Sequence, residues 1–126
     1  MERYLIDTNV ILRFLTKDNI KLFNESYKIF KSIESKQIYA YIPDFIIAEV
    51  VYVLKRIYKI PKKKIVESIQ QLLMLENLNT DNKLVTFEAL EIYYHKNIDF
   101  ADALIWAKKR LEKYKIISFD NDLKKC

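Results

Sequence analysis

Five carboxylates stand in apolar surroundings. Asp7 closes the run Arg3-Tyr4-Leu5-Ile6, and Asp120 closes a second run, Ile116-Ile117-Ser118-Phe119. An aspartate at either place also reads as an ordinary turn or N-cap residue, and residue type alone leaves both readings open. Glu49 lies inside Phe45-Ile46-Ile47-Ala48-Glu49-Val50-Val51-Tyr52-Val53-Leu54, with Phe45, Tyr52 and Val53 at i−4, i+3 and i+4. A solvated helix face would carry polar residues at those spacings. The expectation is a carboxylate buried among apolar groups, which is costly without a charged partner or a metal. The alternative is a side chain that reaches out at the helix edge. Asp99 and Asp102 form D-x-x-D. A cap followed by an acid at the third helical position accounts for Asp99. Asp102, flanked by Ala101, Ala103, Leu104 and Ile105, suits a site as well as it suits the helix dipole.

Carboxylates gathered in one place repel. At about 4 Å and an effective dielectric near 20, each close pair costs roughly 4 kcal/mol. Either some are protonated or a divalent cation holds them. The chain has one histidine, His95, and one cysteine, Cys126, so the donors are hard oxygens, which suit Mg²⁺ or Mn²⁺. No Ser, Cys or His triad is available. Metal-activated water attacking a phosphodiester is the chemistry that fits.

Glycine is absent from the 126 residues, although average usage of roughly 7% predicts about nine. A P-loop or a GxGxxG turn is thereby excluded, since both need glycine to bring backbone amides to phosphate. Cys126 alone supports neither a disulfide scaffold nor a cysteine zinc site. The apolar run 45–54 is interrupted by Glu49 and followed by lysines, well short of the ~20 residues of a membrane span. Acidic Glu2 followed at once by a strand-like run is not a signal peptide, so a cytoplasmic location is expected. The net charge of +5 favours a polyanion such as nucleic acid, although a Lys-, Ile- and Asn-rich composition would also arise from an AT-rich genome.

The elements that must position these acids follow from periodicity. No repeat or linker interrupts residues 1–126, which read as one domain. A first strand at 3–6 precedes Val10, Ile11, Phe14 and Leu15 at helical spacing. A helix over 19–35 and a strand over 38–42 follow, then a helix capped by Asp44 and running to 58. Pro61 opens a helix to 75, and a short strand follows at 77–79. Thr80 or Asp81 caps a helix through 94, and Asp99 caps a helix over 100–113. A last strand spans 115–119. The order β-α-α-β-α-α-β-α-α-β predicts an α/β fold, a parallel sheet with helices on both faces. In such sheets ligands bind beyond the carboxyl ends of the strands, which places Asp7 and Asp120 on one edge.

With those motifs in place, the sequence resembles the PIN-domain ribonucleases and, within them, the VapC-like toxins of type II toxin–antitoxin pairs. YLIDTNVILRF at 4–14 resembles the opening strand and acidic motif, and IPDFIIAEVVYVLKRIY at 42–58 the Glu-bearing helix. IDFADALIWA at 98–107 and IISFDNDL at 116–123 resemble the third and fourth acidic motifs. The resemblance implies an acidic quartet of Asp7, Glu49, Asp102 and Asp120. Asp7 and Asp102 would bind metal most directly, while Glu49 and Asp120 orient or deprotonate the water. Thr8 and Asn9 would support Asp7, Ser118 takes the place of a small hydroxyl residue, and Asp122 is a further outer ligand. Also implied are a four- or five-stranded parallel sheet, Mg²⁺- or Mn²⁺-dependent RNA cleavage, a homodimer and a cognate antitoxin. The family continues into a short final strand, which a chain ending at Cys126 is expected to lack. Two other functions compete. One is a PIN-like module that binds RNA or protein without cleaving. The other, aspartyl phosphotransfer, lacks the second acid expected two residues after Asp7.

Two basic clusters, Lys55, Arg56, Lys59, Lys62, Lys63 and Lys64, then Lys108, Lys109, Arg110, Lys113 and Lys115, suit an RNA-binding rim or merely solvated helix ends. Most of the nine tyrosines are expected in the core or at an interface rather than as base-stacking platforms. An acidic pocket with a basic rim would accept an Arg or Lys of an antitoxin tail, and an apolar groove between the early helices would accept a partner helix.

Overall fold

In the computed structural model, which describes residues 1–126, three short extended segments hydrogen-bond side by side. The chain divides into two compact units, Met1–Asp81 and Asn82–Cys126. The first contains β1 (Arg3–Leu5), α1 (Thr8–Thr16), α2 (Ile20–Glu34), β2 (Tyr39–Tyr41), α3 (Asp44–Arg56), α4 (Lys62–Leu73) and β3 (Leu78–Asn79). The strands are parallel in the order β1-β2-β3, with Tyr4 opposite Ala40 and Ala40 opposite Leu78.

Alternation along the strands decides what is buried. Ala40 and Leu78 are buried, as are Ile6 and Ile42 just past their strands. Ile11 of α1, Ile47 and Val50 of α3 and Ile69 of α4 meet Ile42 and Leu78 around one small apolar void. Phe14 of α1 stacks on Phe30 of α2 at 4.5 Å between ring centroids. The opposite face carries Leu5, Tyr39 and Tyr41, all exposed. A buried first strand with helices on both faces was expected. Within this unit the helices cover one face, and β1 is an edge strand whose Arg3, Tyr4 and Leu5 are all exposed.

The second unit contains α5 (Lys83–His95), α6 (Phe100–Glu112) and α7 (Asn121–Lys124). Small residues let the first two approach closely: Ala89, Ala103 and Ala107 are fully buried, and Tyr93 meets Phe100 edge-on at 5.8 Å. The last strand expected at 115–119 forms no ladder, and Ile117 and Phe119 are exposed. A strand exists only against another backbone, and this unit contains no other strand. The short helix α7 was not anticipated.

Three caps differ from expectation. Asn82, not Thr80 or Asp81, caps α5 by accepting from the Val85 N–H. Asp44 is the first residue of α3, whose cap position is Pro43 and has no side-chain capping bond. Asp99 does occupy the cap position of α6, but its carboxylate makes no capping bond. No helix is long and apolar enough to cross a membrane.

A chain without glycine must end its helices with other residues. Lys17, Lys36, Lys59 and Lys113 take left-handed φ values of 56°, 62°, 55° and 62°. A side chain at such a φ costs about 1–3 kcal/mol, which glycine avoids while adding backbone entropy to the unfolded chain. Lys59→Gly and Lys113→Gly should each stabilise by about 0.5–1 kcal/mol. Lys17→Gly should gain less, because the Lys17 ammonium also lies 5.3 Å from the Phe23 ring centre. Urea melts of the three variants measure the ranking.

Candidate active site

In the first unit, Asp7 follows β1 and caps α1, its carboxylate accepting from the Val10 N–H at 3.2 Å. Only part of its acceptor capacity is used by that bond. Thr8 behind it is buried and Asn9 is exposed. Glu49 is exposed on α3, as are Phe45 and Tyr52, one turn before it and one turn after. The expected burial of Glu49 among apolar groups is therefore corrected. The core face of α3 is Ile47, Val50, Val51 and Leu54, and the stripe through Glu49 faces away from it.

In the second unit the structure brings three carboxylates together. Asp102, Asp120 and Asp122 each offer an oxygen lying within 4.8 Å of the others. Asp102 stands in the first turn of α6. Asp120 caps α7 by accepting from the Asp122 N–H at 2.8 Å, and the Asp120 N–H donates to Ser118 Oγ at 2.9 Å. That pair of bonds turns the chain so that Asp120 and Asp122 face the same space. The Trp106 indole N–H donates to the Asp122 carbonyl at 3.2 Å, tying α7 to α6. Burial, and then the charges of Asp120, Asp99 and Asp122, push the Asp102 carboxyl above the usual aspartate range. The donor set, all carboxylate oxygen with mutual repulsion to relieve, fits a hard divalent cation. Asp122, expected as an outer residue, stands inside this cluster. The spacing Asp120-x-Asp122 was the available signal.

Asp99 lies outside the cluster and raises the Asp102 carboxyl through its charge. With no capping bond to lose, Asp99→Ala should change stability by less than about 0.5 kcal/mol, where loss of a true cap costs about 1 kcal/mol. It should also lower the pH at which Asp102 titrates, followed by carboxyl carbon NMR.

Asp81, expected as a possible cap of α5, instead does structural work in the first unit. It accepts from the Tyr41 hydroxyl and from the Asp44 N–H, the latter at 3.4 Å. Asp81 thus supplies from beyond β3 the capping bond that Pro43 cannot make for α3. A partner 37 residues away leaves no local signal.

The two basic clusters differ in how their charges are engaged. Lys108 faces Glu112 at 3.9 Å, Arg110 pairs with Glu88 at 3.1 Å, and the Lys109 ammonium donates to the Cys126 carbonyl at 2.6 Å. Lys55, Arg56, Lys59, Lys63 and Lys64 are exposed, and Lys62 is partly so. Burial, and then the charge of Lys55, hold the Lys62 ammonium below its ordinary pKa.

The PIN domain family matches residues 4–126, and on that near-complete match the chain belongs to the PIN-domain family. It is similar to a VapC ribonuclease of Aquifex aeolicus (strain VF5), with 30% identity over 122 residues, or 96% of this chain and 90% of that relative.

Proposed function

We propose that this chain is a divalent-metal-dependent endoribonuclease and the toxin of a toxin–antitoxin pair, acting as one PIN-like domain over residues 1–126. The observation that carries the reading is the cluster of Asp102, Asp120 and Asp122 in a member of the PIN-domain family. The similarity to a VapC ribonuclease supports it.

Asp7 and Asp102 would hold Mg²⁺ or Mn²⁺, with Asp120 and Asp122 completing the charge that faces it. Such an ion supplies Lewis acidity to a phosphate oxygen and lowers the pKa of a bound water. A bound cation would favour the ionised form of the Asp102 carboxyl, which burial and the neighbouring charges disfavour. Glu49 orients the attacking water and accepts its proton, a task suited to an exposed carboxylate with no internal partner to hold it. Thr8 and Asn9 steady the turn at Asp7, and Ser118 holds the backbone of Asp120. The four- or five-stranded sheet is part of the proposal, because the β-branched and aromatic residues of 115–119 suit a ladder once another backbone pairs with them. Lys55, Arg56, Lys59, Lys62, Lys63 and Lys64 supply phosphate contacts. Lys108, Lys109 and Arg110 contribute only by giving up their present partners.

A groove of about 340 Å³ between α1, α2 and α4, lined by Phe14, Tyr27, Phe30, Leu72 and Leu75 with Lys31 and Glu34, suits the apolar side of an antitoxin helix. A homodimer and a cytoplasmic location complete the proposal. The test is cleavage of a structured RNA with Mg²⁺ or Mn²⁺ present. Cleavage should stop in excess EDTA and in Asp7→Asn. Cleavage that persists in both removes the metal mechanism, and RNA binding without cleavage favours the non-catalytic module.

A further inference from the structure

The exposed stripe of α3 carries more than a carboxylate. Phe45, Glu49, Tyr52 and Arg56 follow one another at i, i+4, i+7 and i+11, and all four are exposed. The rings are not overflow from the core. The opposite side of the helix is already filled by Ile47, Val50, Val51 and Leu54, none more than 2% exposed, whereas Phe45 is 67% and Tyr52 60% exposed. The Arg56 guanidinium lies over the Tyr52 ring, 5.9 Å from its centre. Exposed aromatic rings combined with a basic groove are the equipment of proteins that bind single-stranded nucleic acid.

We propose that this stripe is a stacking platform for unpaired nucleotides on either side of the scissile phosphate, with bases on Phe45 and Tyr52 and Arg56 between base and backbone. The proposal rests on the ribonuclease reading, in which Glu49 faces the reacting phosphate. Phe45 and Tyr52 are seven residues apart, so their rings are separated by about 10 Å along the helix axis. Bases stacked on each other lie only about 3.4 Å apart. Two bases held here are therefore splayed, with a phosphate near Glu49 between them. A duplex cannot present its bases in that way, which makes the substrate class a loop, bulge or single strand. Charge favours this occupant over a protein helix. Lys55, Arg56 and Lys59 continue from the stripe into the Lys62, Lys63 and Lys64 turn, a run of cations complementary to a phosphate chain.

The experiment compares wild type with Phe45→Ala, Tyr52→Ala, Tyr52→Phe and Tyr52→Leu. Binding is read by fluorescence anisotropy of a labelled single strand and of a duplex, in EDTA, and cleavage with Mn²⁺ on a hairpin with an unpaired loop. Each alanine variant should weaken single-strand binding about 5- to 150-fold and leave duplex binding unchanged. Tyr52→Phe should behave as wild type and Tyr52→Leu as the alanine variant, because stacking needs a π face and not only apolar area. Alanine variants that bind and cleave as wild type overturn the platform while leaving the ribonuclease reading intact. Equal rescue by Leu and Phe also overturns it, as does a loss seen only in the protein's own sedimentation, which marks a protein interface. The expected binding pattern without any cleavage leaves single-strand binding at the stripe but removes the ribonuclease reading and, with it, the placement about a scissile phosphate. Absence of all RNA binding removes both.

Discussion

Asp102→Asn should lower RNA cleavage by more than about 100-fold and at the same time raise the melting temperature of the metal-free protein. The first effect follows from its place in the carboxylate cluster. Residues that merely orient metal ligands cost 10- to 100-fold when replaced, so a ligand itself costs at least the upper figure. The second follows from electrostatics. In the folded chain, burial and the charges of Asp120, Asp99 and Asp122 raise the Asp102 carboxyl above its ordinary value. A carboxyl with a raised folded pKa contributes stability that is present below the ordinary aspartate range and lost as pH rises through the raised value. At neutral pH the asparagine removes a penalty, and well below the ordinary aspartate pKa the two proteins should melt alike. Mn²⁺ should then reverse the order. A hundredfold excess over Kd stabilises wild type by about 2.7 kcal/mol, and a variant lacking the ligand gains little. Thermal melts at two pH values, with and without Mn²⁺, separate these effects. An undiminished Mn²⁺ shift in Asp102→Asn would show that Asp102 is not a ligand.

Glu49→Gln should reduce cleavage about 10²- to 10⁴-fold, the usual loss on removing a general acid–base group. Stability should move by less than about 0.5 kcal/mol, because the side chain is exposed. The combination matters. A carboxylate buried among apolar side chains would become markedly more stable as the neutral amide, and this structure excludes that outcome by placing Glu49 on the outer stripe of α3. Single-turnover cleavage and a urea melt on the same preparation provide both readings. A stabilised variant that cleaves normally would assign Glu49 to structure alone.

Much of the fold was legible in the residues. Helical spacing located α1 to α6 within a few residues, because a helix is built from contacts three and four residues apart. Asn19, which opens the second predicted helix, does cap α2 by accepting from the Leu22 N–H. Asp7 and Asp120 were visible as acids closing apolar runs, and both do cap the helices that follow. Residue types alone also excluded, within these 126 residues, glycine-dependent phosphate loops and cysteine-cluster metal sites, since no folding can supply an absent residue.

Tertiary structure decided what depends on partners distant in the chain. Phe45 and Tyr52 look like core residues in a linear reading, yet α3 fills its buried side with four other residues and leaves them outside. An apolar side chain is buried only if another element covers it, and helical spacing does not say which of two apolar stripes that will be. The extended run at 115–119 has strand-forming residues but no backbone to pair with in its own unit, and pairing is not a property of one segment. Asp122 joins Asp102 because Trp106 and the Asp120 cap turn α7 back towards α6. Lys109 and Arg110, free cations on paper, are engaged by Cys126 and Glu88. Residue type and spacing determined which chemistry was available, because valence, charge and helical period are local. Which carboxylates meet, which rings face solvent and which cations stay unpaired awaited the packing, because each depends on residues brought together from far along the chain.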